Sequence, residues 1–273
     1  MEELIIDLLA QVRRQKPLVH NITNLVVMNN TANALLALGA SPVMVHSPSE
    51  VREVVDLAQS LVINIGTLSE LTAESMLVAA EHANNISRPW AVGPVGGGIS
   101  AFRNDLLANL LELKPTVIRG NASEIMSLYN FNQVNTKGVD STADSKAAVS
   151  FGKALQEQLG SIICISGKVD YILSEQHTAE VHNGHPLMTQ VTGLGCSATA
   201  LIGAFLAVPD HPFEAAPAGV SLLSLAGELA TARSSGPGSS AGRPWAIRAL
   251  HRRRRRGHHR WSRSRPRRGS SNR

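Results

Sequence analysis

Three short stretches of this chain carry residue types suited to handling phosphate. The first is Val191-Thr192-Gly193-Leu194-Gly195-Cys196-Ser197, which runs into the apolar, helically spaced segment Ala198 to Val208. Glycines at 193 and 195 let the backbone turn tightly and aim successive amides inward, so the helix start forms a cup for anionic oxygen. Cys196 sits on the lip of that cup. A thiol at a helix N-terminus ionises more readily and can take a proton from a hydroxyl, but phosphoryl transfer asks little of a base. The amides of Gly193, Gly195 and Cys196 therefore carry more of the expected chemistry than the sulfur does.

The second stretch, Arg119-Gly120-Asn121-Ala122-Ser123-Glu124, closes a strand and opens a helix. Asn121 and Glu124 fall on one helical face, where an amide and a carboxylate can organise hydrated Mg2+; the same spacing also makes a capping box. Arg119, at a strand end beside a helix start, suits phosphate. In the third stretch Ser166-Gly167 ends a strand, and its hydroxyl either bonds a phosphate oxygen or simply leads into a hairpin. Other chemistries are excluded by what is missing. No Gly-x-x-x-x-Gly-Lys-Ser/Thr run marks a P-loop, and Gly96-Gly97-Gly98 lacks the dinucleotide-binding spacing. His20, His46, His182 and His185 read as hydrogen-bonded structural residues with no cysteine partner, and Cys164, inside an apolar run, reads as core.

The elements that would hold these residues repeat in a regular cycle. Helix 3–14 precedes strand 18–20, and helix 25–38, capped from within Asn21-Ile22-Thr23-Asn24, precedes strand 42–45. Helix 49–58, strand 61–66, helix 72–84, strand 90–92, helix 101–112, strand 116–118 and helix 122–129 follow. After a polar connection at 130–141 come helix 142–158, strand 162–167, its hairpin partner 171–174, and helices 196–207 and 214–232. Short, continuous apolar strands alternating with helices predict an α/β fold with a mostly parallel central sheet covered by helices on both faces. Such sheets bind ligands at the carboxyl ends of their strands, where the candidate residues lie.

Composition sets the bounds. The 273 residues, 43% of them hydrophobic, suffice for a large core, and 4% aromatic content leaves Leu, Val, Ala and Ile to fill it. Two cysteines, one in a buried strand and one at a helix start, argue against a disulfide framework and for a cytoplasmic protein. The acidic start Met1-Glu2-Glu3-Leu4 does not suit a secretory signal, and no apolar run reaches the ~18 residues of a membrane span. The net charge of +5 is misleading, because thirteen arginines and no acidic residue lie between Ala241 and Arg273. Residues 1–240 thus hold 13 basic and 21 acidic side chains, a net charge of −8. Residues 1–239 read as the folded domain and 240–273 as an Arg-rich, disordered tail, whose alternative role is non-specific binding of nucleic acid.

The motifs together resemble the hydroxyethylthiazole kinases of the ribokinase-like superfamily. The match runs through Pro17 to Asn24, Val26 to Asn33, Leu36 to Met44, Arg119 to Ile125, Gly138 to Ser141, Gly167 to Tyr171 and Val191 to Cys196, and is nearly continuous from residue 4 to 239. The resemblance implies MgATP-dependent phosphorylation of the alcohol of 5-(2-hydroxyethyl)-4-methylthiazole in thiamine salvage, by a homotrimer with active sites between subunits. It places Met44 and Gly193 at the thiazole, Arg119 and Ser166 at ATP, Glu124 at the metal, and Cys196 where most ribokinase-like enzymes carry the catalytic Asp. No feature of the residues themselves singles out Met44. Two other enzymes of the superfamily compete: a hydroxymethylpyrimidine kinase and the nucleotide-dependent dehydratase that repairs hydrated NAD(P)H. The chain departs from the pattern twice. Gly93-Pro94-Val95 stands where the family reads Asp-Pro-Val, removing an acid expected near Mg2+, and the expected closing segment after Ser239 is replaced by the basic tail, as an out-of-frame terminus would be.

Overall fold

Eight strands form one sheet in the order β2-β1-β3-β4-β5-β6-β7-β8. The computed structural model describes residues 1–132, 145–208, 210–234 and 236, so the motif Gly138 to Ser141 and the tail lie outside the described residues. Helix α1 (Glu2–Gln15) leads into β1 (Leu18–Ile22), α2 (Met28–Leu38), β2 (Ser41–Val43), α3 (Val51–Leu57), β3 (Ser60–Asn64), α4 (Glu70–Asn85) and β4 (Trp90–Gly93). There follow α5 (Ala101–Glu112), β5 (Val117–Asn121), α6 (Ala122–Asn132), α7 (Val149–Leu159) and β6 (Ile162–Ser166). The chain then forms β7 (Asp170–Leu173), β8 (Thr178–Val181), a 3-10 turn (Pro186–Gln190), α8 (Leu194–Leu206) and α9 (Pro212–Thr231). Strands β2 through β6 with β1 are parallel, and β6-β7-β8 is an antiparallel meander.

The strands are apolar along their whole length because both faces are covered, and successive side chains enter different cores. Val62 packs with α1, α2, α8 and α9 on one face, whereas Leu61 and Ile63 pack with the helices α3 to α7 on the other. Cys164, between Ile163 and Ile165, divides β6 in the same way. Helix α8 lies flush on the sheet. A Cβ on Gly203 would run into Val62 Cγ2, and Ser60 Oγ donates to the Gly203 carbonyl at 2.6 Å. That close approach sets the height of α8 and so the position of its N-terminus.

Several boundaries differ from those predicted. Helix α2 starts at Met28, three residues late, because Asn24 Oδ1 accepts the Val26 N–H at 3.1 Å and the Asn24 carbonyl accepts the Val27 N–H at 3.3 Å, closing a turn first. Helix α7 starts at Val149 behind a turn at 145–148, where buried Ser145 donates to the Val169 carbonyl at 2.9 Å. Strand β8 was not expected, and the glycine cup is entered from the 3-10 turn with only Val191 extended between them.

Candidate functional site

The strand order reverses between β1 and β3, and the carboxyl ends of the strands open there beneath the start of α8. An open α/β sheet takes its ligands at such a switch point. Gly193 is the N-cap of α8 with φ of 84°, and a Cβ there would meet Val27 Cγ1, so both backbone and space demand glycine. The first hydrogen bond of the helix runs from the Ser197 N–H to the Gly193 carbonyl at 2.9 Å. The N–H groups of Leu194, Gly195 and Cys196 lie ahead of it, in the first turn where helix amides have no intrahelical partner. Together with the helix dipole they make an anion-binding end.

Arg119 reaches this end from β5. A Cβ on Gly195 would fall 2.5 Å from Arg119 Nη1, so the guanidinium lies directly against the backbone of the second helical residue. Its Nε is buried and has no partner among the described residues. Behind it stands Asp170, 6% exposed, which accepts the Gly167 N–H at 3.0 Å. Burial pushes its carboxyl up to about 6, against the pull of the Gly167 N–H and the Arg119 charge. Cys164 is fully buried beside them, its thiol pushed up to about 12 by burial and by Asp170, which fits a core role.

Ser166 ends β6 level with Asn121 and donates to the Gly120 carbonyl at 3.0 Å. Its oxygen keeps lone pairs for a further donor and its side chain is only half-buried. Asn121 and Glu124 form a reciprocal cap: Glu124 N–H donates to Asn121 Oδ1 at 2.9 Å, and Asn121 N–H donates to Glu124 Oε2 at 2.8 Å. Glu124 Oε1 also accepts the Gly96 N–H at 3.4 Å, tying α6 to the loop after β4. The capping reading of this spacing is therefore realised. Among the described residues no three His, Cys, Asp or Glu side chains gather to cage a metal. A lone half-buried carboxylate with unspent lone pairs nevertheless fits Mg2+, which keeps several waters and takes its remaining ligands from substrate phosphates.

Met44 directly follows β2 and is half-buried, placing it at the same end of the sheet as Gly193, on the β2–β1 side. Arg119 and Ser166 come from β5 and β6 on the other side, with the start of α8 between the two groups. The histidines are structural, as expected. His20 Nε2 is 3.0 Å from the Val45 carbonyl, His46 Nε2 accepts from Thr23 N–H at 3.0 Å, His182 pairs with Glu180 at 2.9 Å, and His185 Nδ1 accepts the Leu187 N–H at 3.1 Å. Burial drops the His20 imidazole to about 4.

Sequence reasoning missed two contributors, Asn24 and Arg103, and assigned no role to a third, Asn64. Asn24 donates to Cys196 Sγ at 3.5 Å and to Asn64 Oδ1 at 2.8 Å, although only its capping potential was legible. Asn64 reads as one of several candidates at the strands' carboxyl ends, with no partner indicated. Arg103 donates to the carbonyls of Ile65, Val95 and Gly66, clamping the loops after β3 and β4, and nothing in its helical setting announces that role. Gly93, at the end of β4, faces Asn64 and Thr199: a Cβ there would lie 3.5 Å from Asn64 Nδ2 and 3.3 Å from Thr199 Oγ1.

The family model for the hydroxyethylthiazole kinase family matches residues 9–247. A hydroxyethylthiazole kinase from Syntrophus aciditrophicus is 51% identical over 229 residues, covering 84% of this chain and 85% of that protein. The solved structure of a hydroxyethylthiazole kinase protein from Pyrococcus horikoshii superposes with a TM-score of 0.84 at 38% identity, covering 91% of this chain and 93% of the other. A ribokinase-like superfamily protein from Enterococcus faecalis shares the fold at 15% identity, with a TM-score of 0.57 over 85% of this chain and 86% of its own.

Proposed function

The chain belongs to the hydroxyethylthiazole kinase family, and on that footing we propose that it transfers the terminal phosphoryl group of ATP to the alcohol of 5-(2-hydroxyethyl)-4-methylthiazole, a thiamine-salvage reaction in the cytoplasm. The observation that carries this reading is the convergence on one helix start of three forward-facing amides, Leu194 to Cys196, and the Arg119 guanidinium packed against Gly195. Donors fixed in advance around a transferring phosphoryl group stabilise its charge without reorganising.

In this reading Met44 and Gly193 hold the thiazole on the β2–β1 side, and Arg119 and Ser166 hold the nucleotide on the β5–β6 side. The alcohol oxygen bonds to the terminal phosphorus as the bridging P–O bond breaks, and its electrons leave with ADP. The alcohol proton passes to Cys196 Sγ and from there to solvent. Glu124 would hold Mg2+ through its unspent lone pairs, where the ion neutralises phosphate charge when bound. Asp170 orders the Ser166-Gly167 turn beneath the phosphates by accepting the Gly167 N–H.

A homotrimer belongs to the same proposal. It is supported by exposed apolar residues around this end of the molecule, with Leu25 78% and Ile99 78% exposed. Light scattering on the purified chain tests it. The activity is tested by incubating the full chain with MgATP and the thiazole alcohol and following ADP and thiazole phosphate. ADP release with no thiazole phosphate sinks the assignment.

A further inference from the structure

At the switch point one buried carboxamide bridges the diverging ends of β1 and β3 and touches the sulfur. Asn24, 3% exposed, donates through Nδ2 to Asn64 Oδ1 at 2.8 Å, and Asn64 is itself 1% exposed. The backbone settles which way both amides face. Val26 N–H donates to Asn24 Oδ1 at 3.1 Å, and Gly66 N–H donates to Asn64 Oδ1 at 3.0 Å. With each oxygen engaged by an N–H donor, each nitrogen must point the other way. Asn24 therefore directs a second N–H at Cys196 Sγ, 3.5 Å away, an ordinary length for nitrogen to sulfur. Gly66 makes room for this, since a Cβ there would lie 2.6 Å from Asn24 Nδ2.

We propose that Asn24 is a positioning residue for Cys196, one carboxamide that holds the sulfur over the switch point and stabilises its thiolate by donating to it. The role of that sulfur as proton acceptor rests on the kinase reading; the hydrogen bond does not. Asn24 and Asn64, reaching the helix start from β1 and β3, are both neutral. The charge facing that start is the Arg119 guanidinium at Gly195, which substitution at position 24 leaves in place. Asn64 extends the device. Its Oδ1 is fixed by the Gly66 N–H, and its own Nδ2, buried without a partner among the described residues, turns towards Gly93, so the orientation of Asn24 is set by an amide that is itself held.

The chain offers a clean readout, because it has two cysteines and Cys164 is buried with its thiol pushed up to about 12. Iodoacetamide labelling of the full chain at pH 7.5 thus reports Cys196 alone. Asn24→Ala, which removes the donor without adding charge, should label about tenfold more slowly than the parent, the size of a lost hydrogen bond to a charged group, and Asn24→Asp, which also sets a negative charge beside the sulfur, more slowly still. For Asn24→Ala, a merely structural Asn24 predicts the opposite sign, since its loss would loosen the helix start and speed labelling. Labelling at or above the parental rate in a variant with parental circular dichroism overturns the proposal; should Asn24→Asp fail to fold, Asn24→Ala decides.

A second arm follows turnover. Asn24→Ala should cost several-fold in kcat in the parent and nothing further in a Cys196→Ala background, because the two residues act as one unit. Additive losses also overturn the proposal. Labelling needs no substrate, so a parent that makes no thiazole phosphate sinks the kinase reading while the labelling comparison still decides the role of Asn24.

Discussion

Replacing Gly93 with Asp should raise activity. Gly93 ends β4 with its backbone outside the left-handed region, so an L side chain fits its conformation. The new Cβ would stand 3.3 Å from Thr199 Oγ1, which must give by a few tenths of an ångström. One bond further out, a carboxylate could accept from Asn64 Nδ2, which is buried and otherwise unpaired among the described residues. Leaving such a donor unpaired costs about 1–3 kcal/mol, and satisfying it should recover part of that. Against this stands the several kcal/mol of burying a carboxylate, offset in part by the α8 N-terminus at about 0.3–1 kcal/mol. Without metal the two sides should nearly cancel, leaving the melting temperature within about 3 °C of the parent. If Glu124 holds Mg2+ as proposed, the added carboxylate would supply a second acid near the metal. Turnover at limiting Mg2+ should then rise at least tenfold, about 1.4 kcal/mol of transition-state stabilisation. Gly93→Asn is the control, since it supplies the same acceptor without the charge. A Mg2+ titration of thiazole phosphate formation and a thermal melt on all three proteins decide the matter. No gain from a folded Gly93→Asp, or an equal gain from Gly93→Asn, would refute the metal argument. A large fall in melting temperature for Gly93→Asn would refute the unpaired-donor argument.

Gly195→Ala should displace the Arg119 guanidinium, now 2.5 Å from the new methyl, while sparing the fold, because the far end of a flexible side chain moves cheaply. The KM for ATP should rise about tenfold with little change in melting temperature, and Arg119→Lys, which loses the planar fork, should do the same. Gly193→Ala should instead destabilise by about 1–3 kcal/mol in a denaturant titration, since it strains φ at 84° and strikes Val27. The pH dependence follows from two buried groups of opposite sign. Asp170 is raised from 3.8 to about 6, so its contribution to stability is greatest below pH 3.8 and is lost as pH rises to about 6. His20 is lowered from 6.5 to about 4, so its contribution is present above pH 6.5 and is lost as pH falls to about 4. Between pH 4 and 6 the two nearly offset each other, each at most about 3 kcal/mol. Asp170→Asn should therefore melt with a steeper acid dependence over that window than the parent, and parallel curves would show the offset to be absent.

The fold was legible because the strands are unbroken apolar runs, such as Leu61-Val62-Ile63, separated by helical spacing, a pattern that only a sheet covered on both faces satisfies. Strand β8 escaped because Thr178-Ala179-Glu180-Val181 is four residues long, and its pairing depends on β7 more than on its own composition. The shape of the glycine cup and the place of Arg119 at a strand end were readable since each depends on groups local to one stretch. The pairing of Asn24 with Asn64 was not, because two amides forty positions apart leave no spacing to recognise; Asn24 alone looks like a cap and Asn64 like one strand-end candidate among several. Asn121 and Glu124 show the converse limit. Their spacing is the same whether the carboxylate caps a helix or meets a metal, and the structure shows the cap in place.

Gly203 lies ten positions beyond Gly193 along α8, about 15 Å at the rise of a helix, and far from any reacting atom. Since α8 rests on Val62 there and is held by the Ser60 hydroxyl, a methyl added at that point must lift or tilt the helix. The amides at its far end would swing away from the phosphoryl group by a fraction of an ångström to an ångström, enough to cost turnover steeply. A library scored only by growth or product would then mark Gly203 as though it belonged to the reaction centre. Measuring Cys196 labelling alongside turnover would tell such a lever from a residue that meets the substrate.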